Sequence, residues 1–370
     1  MHNTDKTGFV EDKMQKASEV YQENFSKKLV FLAVMSFLIL FAVLYAGSVG
    51  SAQLSLEDVF LAIANKALPD VFSPPLSDIA QVIVINIRLP RILLALLTGM
   101  CLAVSGAVMQ SLLRNPLVSP FTLGLSSAAS FGAAMAIVLG PGILGAFFSD
   151  NQSSFLVLSA FVFGMASMVL VYGISRIKCD NSTIILAGVV IGYIFSAGVM
   201  FLKYVTNNEK LREITVWLMG GMWGASWDAV IILLPITIIG FLYIIFKSWD
   251  LNAMEAGDEV AKSLGVKVDT LRMAGLMVAT LIASSCLAFT GVIGFIGLMA
   301  PHICRMIIGN DNRFVIPGSA LIGGFILLIS DTFARTIMSP VELPVGIIMY
   351  VLGGVFFVFL ILKGRESRLY

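Results

Sequence analysis

The chain has 370 residues, of which 58% are hydrophobic and 13% charged, with a formal net charge of +1. A water-soluble domain carries about 45–50% apolar and about 25% charged residues, so one aqueous core cannot hide this excess and the bilayer is the expected solvent. The small net charge excludes the broad basic field that nucleic acid needs, and the mean hydropathy of +0.93 fits a membrane-embedded chain.

Residues 1–28 are polar and mixed in charge, with Lys6, Glu11, Asp12, Lys27 and Lys28 among them. They lack the short apolar core and small-residue cleavage site of a removed leader. The reading is a polar cytosolic tail followed by a retained signal anchor. A helix needs about 20 mostly apolar residues to cross the hydrocarbon. Ten segments qualify: 29–49, 86–111, 120–140, 154–174, 183–203, 229–247, 271–290, 292–309, 314–335 and 344–362. Gly291, Gly294 and Gly297 blur the boundary between the seventh and the eighth. Residues 29–370 are therefore expected to form an all-α, ten-helix membrane domain.

With a cytosolic N-terminus and ten crossings, 17 of the 24 Lys and Arg residues fall inside. The 7 outside are Lys66, Arg88, Arg91, Lys203, Lys210, Arg212 and Arg335. That bias follows the positive-inside rule and predicts both termini in the cytosol. Glycines recur within the spans, as at Gly188, Gly192 and Gly198, where small residues let helices approach closely.

The largest cytosolic loop, 248–270, reads SWDLNAMEAGDEVAKSLGVKVDT. Asp258, Glu259 and Lys262 share a predicted short helix with Val260, Ala261 and Leu264, and Gly265 supplies its stop. Its polar face reads as acidic at Glu255, Asp258 and Glu259. Lipid binding favours Lys and Arg on such a face, so a protein groove and a plain connector both remain open. Arg88 and Arg91 precede the second span on the outer side, and Arg335 ends the ninth, with Asp331 four residues before it. These arginines either snorkel and pair locally, as Arg335 with Asp331 would, or form an outer cluster for a partner's carboxylates.

Arg114-Asn115-Pro116 suits a helix-ending turn, and Pro301 inside the eighth span frees a carbonyl. His302 reads as a hydrogen-bonded structural residue, since the only other histidine is His2 in the tail. Cys101, Cys179, Cys286 and Cys304 lie far apart without a CxxC and are expected to pack, with no metal site or disulfide. No GxxxxGK[ST], HExxH or GxSxG occurs, so neither P-loop hydrolysis nor those catalytic centres belong to this chain. Buried carboxylates are scarce apart from Asp331, which argues against an ion-gradient-driven carrier.

Four stretches, in this order and spacing, resemble the FecCD-type permeases of ABC importers for ferric siderophores, haem and vitamin B12. They are RLPRILLALLTGMCLAVSGAVMQSLLRNPLVSPFTLG (88–124), AGDEVAKSLGV (256–266), GVIGFIGLMAPHICRMIIG (291–309) and DTFARTIMSPVELPVGI (331–347). The resemblance implies the type II importer architecture: ten helices per subunit and a homodimer, or a heterodimer with a close paralogue, in a prokaryotic inner membrane. It implies two ATP-binding-cassette ATPase subunits beneath and an extracytoplasmic binding protein above. It assigns Gly257, Asp258, Glu259, Ala261, Leu264 and Gly265 to ATPase coupling, and Arg88, Arg91 and Arg335 to binding-protein docking. It implies that the fifth and tenth spans line the path, with Gly188, Gly192, Ser196, Gly353, Gly354 and Val355 as pathway or gate candidates. Val355 stands where relatives often carry proline. A ferric siderophore is the expected cargo, haem and cobalamin are the alternatives, and neither a cofactor nor enzymatic activity is expected in this chain.

Overall fold

The computed structural model describes residues 4–366 except 51, 76, 145–150 and 176–180. The expected cytosolic residues Arg176, Lys178 and Arg368, and Cys179, lie outside the described residues. In hydrocarbon every backbone polar group must find a partner within its own segment or bundle, and the apolar runs accordingly become helices. In chain order these are α1 (Thr4–Ser48), α2 (Leu56–Ala67), α3 (Asp78–Val82), a π-helical turn (Ile83–Arg88) and α4 (Leu89–Leu113). Next come α5 (Leu125–Leu144), α6 (Gln152–Ser175), α7 (Asn181–Val205), α8 (Asn208–Met219) and α9 (Trp227–Phe246). Two short helices follow, α10 (Ser248–Glu255) and α11 (Asp258–Ser263). The chain closes with α12 (Val268–Thr290), α13 (Ile296–Ile308), α14 (Asn312–Ala334) and α15 (Val345–Glu366). Polar N-caps mark several starts: Asn207 accepts from Lys210 N, Ser226 from Ala229 N and Asp311 from Arg313 N.

Nine helices among the described residues are long and apolar enough to cross a membrane, not ten. The eighth expected span, 292–309, is the exception. Gly291 takes φ 68° and Phe295 φ 66°, and this left-handed break leaves 291–295 non-helical before the 13-residue α13. The chain still recrosses the molecule there. Thr290, at the end of α12, accepts from Gly221 N at one face. Asn312, at the start of α14, donates to Asn252 at the opposite face. A stretch of non-helical chain plus about 20 Å of helix covers that distance. The alternation of crossings therefore survives, although an unbroken helix does not.

The face carrying α10 and α11 is called lower and the other upper. α1 runs from lower to upper. Its lower part is fixed by Lys28 near Asp311 and by Phe25 edge-on to Phe314. α15 starts at the upper face, where Gly346 N donates to Gly220 O, and descends. Both described ends of the chain thus lie at the lower face.

α4 is the hub: 89% of its most apolar stretch is buried inside the chain, against 17% for α1 and 22% for α15. α4 contacts α12, α13 and α14. A Cβ on Gly106 of α4 would sit 1.8 Å from the Gly297 carbonyl oxygen, so only glycine permits the approach of α4 to α13. Cys101, Cys286 and Cys304 are buried free thiols. The outer helices leave large apolar side chains uncovered, including Tyr193, Phe201 and Tyr204 on α7 and Val355 on α15, which suits lipid or a second subunit.

Candidate functional site

At the upper face the three arginines gather around the C-terminal end of α1. The last carbonyls of a helix lack intrahelical partners and carry partial negative charge. Arg335 donates to Ala46 O, and Arg88 donates to the carbonyls of Gly47, Ser48 and Ala52. Arg88 is only 4% exposed. Arg91 binds Asp331 through two bonds of 2.9 and 3.0 Å and reaches Glu342 at 2.8 Å. Two planar groups joined by two bonds form a strong, oriented pair. The local Arg335–Asp331 pair expected from four-residue spacing does not form, because Asp331 faces α4 and meets Arg91. Arg335 is half-buried, and its Nε makes no hydrogen bond among the described residues.

At the lower face the 248–270 segment folds as two short helices rather than one. In α11 the Gly265 N–H bonds Lys262 O and the Val266 N–H bonds Ala261 O, with Gly265 at φ 84°. This is a Schellman stop, which needs a left-handed residue where glycine stands. Ala261 is fully buried and seats the helix, while Val260 and Leu264 point outward, Leu264 at 68% exposure. Asp258 is clamped by Arg272 at 2.7 Å and Arg114 at 3.2 Å. Arg114 itself caps α4 in the left-handed conformation, and Asn115 accepts from Leu117 N, forming the expected turn.

The acidic face expected for this segment is corrected accordingly. Glu255 turns inward to the Ser111 hydroxyl at 2.6 Å and the Asn312 amide at 3.0 Å. With Asp258 clamped, Glu259 is the residue of the three that stays fully on the surface, paired with Lys262 at 2.9 Å. The physical reason is proximity to buried guanidinium and amide groups, whose desolvation is offset only by charged partners. Gly257, between α10 and α11, adopts φ 118° and lies 3.5 Å from the Arg114 guanidinium as measured from an added Cβ.

One network was not read from sequence. Pro301 has no N–H for the Gly297 carbonyl, and Gln110 Nε2 donates to that oxygen at 3.2 Å. Gln110 Oε1 accepts from Arg305, which also lies 3.8 Å from Glu255. Asn252 joins α10 to Asp311 at 2.9 Å. Burial alone would raise the Asp311 carboxyl, but the hydrogen bonds from Arg313 and Asn252 outweigh it and hold its pKa at about 2. The proline was visible in sequence; which side chain would answer it was not. The network ties α10 to α4, α13, α14 and, through Lys28, to α1.

Between the faces, Gly188 and Gly192 are buried against Leu123 and Gly124, in the turn just before α5. Ser196 donates to Ser127 at 3.1 Å. Tyr193 and Tyr204 on the same helix are open. Gly353 packs on Phe295 at the α12–α13 break, whereas an added Cβ on Gly354 would meet open space. Val355 is exposed on an α15 that runs unbroken. His302 rests against the Phe356 ring at 6.1 Å, and no group of three or more His, Cys, Asp and Glu among the described residues is placed to hold a metal ion.

Three comparisons bear on this arrangement. The model of the FecCD transport family matches residues 38–363. An ABC transporter permease protein of Methanocaldococcus jannaschii is 40% identical, over 91% of this chain and 95% of its own. The hemin transport system permease of Yersinia pestis is 37% identical, over 90% of this chain and 95% of its own. The Fe(3+)-citrate import permease of Bacillus subtilis is 39% identical over 76% and 82%. A solved structure described as an inward-facing conformation of a metal-chelate type ABC transporter superposes with a TM-score of 0.78 at 30% identity. It covers 90% of this chain and 98% of that one.

Proposed function

The chain belongs to the FecCD transport family, and from that membership we propose that it is the membrane-spanning permease of an ATP-driven importer carrying a ferric siderophore. The observation that carries the mechanism is α11. It is a firmly seated helix whose outward side chains, Val260 and Leu264, are apolar and uncovered. Exposed apolar residues on a rigid, clamped element suit insertion into an ATPase groove. Movement of α10 and α11 would reach α4 and α14 through Glu255, Ser111 and Asn312. The reading places the lower face and both termini in the cytosol, with residues 1–28 as a cytosolic segment.

On the outer side, glutamates of a binding protein would meet Arg335 and the rim of the Arg91 pair. A second copy of the chain would face the open sides of α7 and α15 and complete the path. Gly188, Gly192, Ser196, Gly353, Gly354 and Val355 then act at that path, the buried glycines through packing and the open positions through contact. The hemin and Fe(3+)-citrate relatives support an iron-containing chelate as cargo. Asp331, the buried carboxylate of α14, is paired with Arg91, which favours ATP over an ion gradient. The reading assigns no cofactor and no catalysis to this chain.

The test is uptake into proteoliposomes containing the permease and its ATPase, with binding protein and ferric siderophore, haem or cobalamin supplied in turn. Siderophore accumulation that requires both ATP and binding protein is expected. Accumulation of haem or cobalamin instead would replace the cargo, and transport driven by an ion gradient without ATP would end the importer reading. In the same system Arg335→Glu is expected to weaken binding-protein docking and flatten its salt dependence. Unchanged docking would remove Arg335 from the interface.

A further inference from the structure

A groove of about 800 Å³ opens near the upper face, and its lining includes neither the three arginines nor any residue of α11. Its side walls are α6 and α9, its floor is α12, and α8 with residues 217–224 closes its upper end. The walls expose Leu158 and Ile232, at 56% and 51%, so the groove is open sideways at the level of hydrocarbon. Phe161 and Phe289 continue its apolar lining. Its volume lies within the ~300–1,000 Å³ of sites that hold small organic molecules.

The polar end is specific in sign. Trp217 and Trp223 stand where indoles favour the membrane interface. Glu213 and Asp228 line the same end. Glu213 accepts from the Gln152 amide at 3.0 Å, and neither carboxylate has a cationic partner among the described residues. An apolar slot that ends in indoles and two carboxylates is complementary to an acyl chain bearing an ammonium. A phosphatidylglycerol headgroup carries the same phosphate with no ammonium to offset it beside these carboxylates, and a choline ammonium has no N–H to donate to them.

We propose that this groove is a binding site for an ethanolamine phospholipid, with the acyl chain between α6 and α9 and the primary ammonium at Glu213 and Asp228. The site would staple α8 and the start of α9 to the outer rim of the bilayer. Two exposed ammonium–carboxylate contacts predict about a fivefold preference over the same chains on phosphatidylglycerol.

The experiment uses the full chain in phosphatidylcholine bilayers with increasing fractions of lipid brominated on the acyl chain, headed by ethanolamine, glycerol or choline. Bromine quenches tryptophan on contact, and Trp217 and Trp223 report the groove. Quenching that saturates at a low fraction of the ethanolamine lipid only, and that Trp217→Phe with Trp223→Phe removes, is the expected result. Glu213→Gln with Asp228→Asn should equalise the headgroups while leaving the apolar slot intact. Should those variants misfold, mass spectrometry of lipid retained by the unaltered chain supplies the readout, with ethanolamine lipid enriched over its bulk fraction. Quenching that follows bulk fraction alike for all three headgroups, or a retained lipid with an anionic head, would overturn the proposal. So would exclusion of every lipid from the groove, as a covering protein partner would cause.

Discussion

The upper arginines and the lower helix α11, both proposed here as docking surfaces, are built in opposite ways. At the upper face the charged residues turn inward. Arg88 and Arg335 satisfy the carbonyl end of α1, and Arg91 is held by Asp331 and Glu342. At the lower face the acidic residues Glu255 and Asp258 also turn inward, while apolar Val260 and Leu264 remain outside. The difference teaches that charge near a membrane protein's ends is first consumed by buried partners, because an unpaired charge there is costly. What remains exposed is then the better guide to docking. By that guide α11 presents an apolar surface of Val260 and Leu264, and the upper cluster is a braced frame in which Arg335 is the least committed member.

The largest effect expected from breaking this comparison lies at the upper frame. Asp331→Ala leaves the half-buried Arg91 without its bidentate partner, and removing one side of a buried pair costs about 3–5 kcal/mol. Thermal unfolding in detergent or nanodiscs should show a marked loss, well beyond that of Glu342→Ala, whose carboxylate is 42% exposed. Equal losses would mean that burial does not rank these partners. The next effect lies in the lower network. Gln110→Ala strips the Gly297 carbonyl of its donor and is expected to cost about 1–3 kcal/mol. In a Pro301→Ala background the helix can supply its own N–H, so the same change should cost clearly less. A double-mutant cycle over the two positions measures that coupling.

The smallest expected effect is a pH response at the base of α14. The Asp311 pKa is depressed to about 2 from 3.8. Because the folded state holds this proton more weakly than the unfolded one, the stabilisation is present above about pH 4. It is lost as pH falls towards 2. Asp311→Asn should therefore flatten the dependence of unfolding on pH over that interval, and an unchanged slope would show that the carboxylate does not bear on stability.

Much of the fold was legible because hydrocarbon imposes a simple rule on long apolar runs, and nine of the ten expected crossings are full-length helices. The eighth failed because Gly291 and Phe295 reverse the backbone sign, a local event that hydropathy does not record. At the candidate site, the sequence placed the arginines at one end of the spans and the short helix at the other. The identity of each partner was not legible, since Asp331 can meet Arg335 along its own helix or Arg91 across the bundle, and only packing decides. Gln110 and Asn312 carried no signal of their own, being ordinary polar residues whose role appears once the Pro301 carbonyl and Glu255 are placed. The Schellman stop at Gly265 was legible because its cause lies in a few adjacent residues.

The central claim is that α11 engages its partner through apolar contact rather than acidic charge. It is tested most directly by measuring the affinity of the ATPase subunit for the permease in nanodiscs, with Leu264→Glu and Glu259→Gln compared against the unaltered chain. Burial of a leucine contributes about 1.5–3 kcal/mol, so Leu264→Glu is expected to weaken docking by at least about tenfold, while Glu259→Gln leaves it nearly unchanged. A large loss with Glu259→Gln and little effect of Leu264→Glu would contradict the account and return α11 to an acidic docking helix.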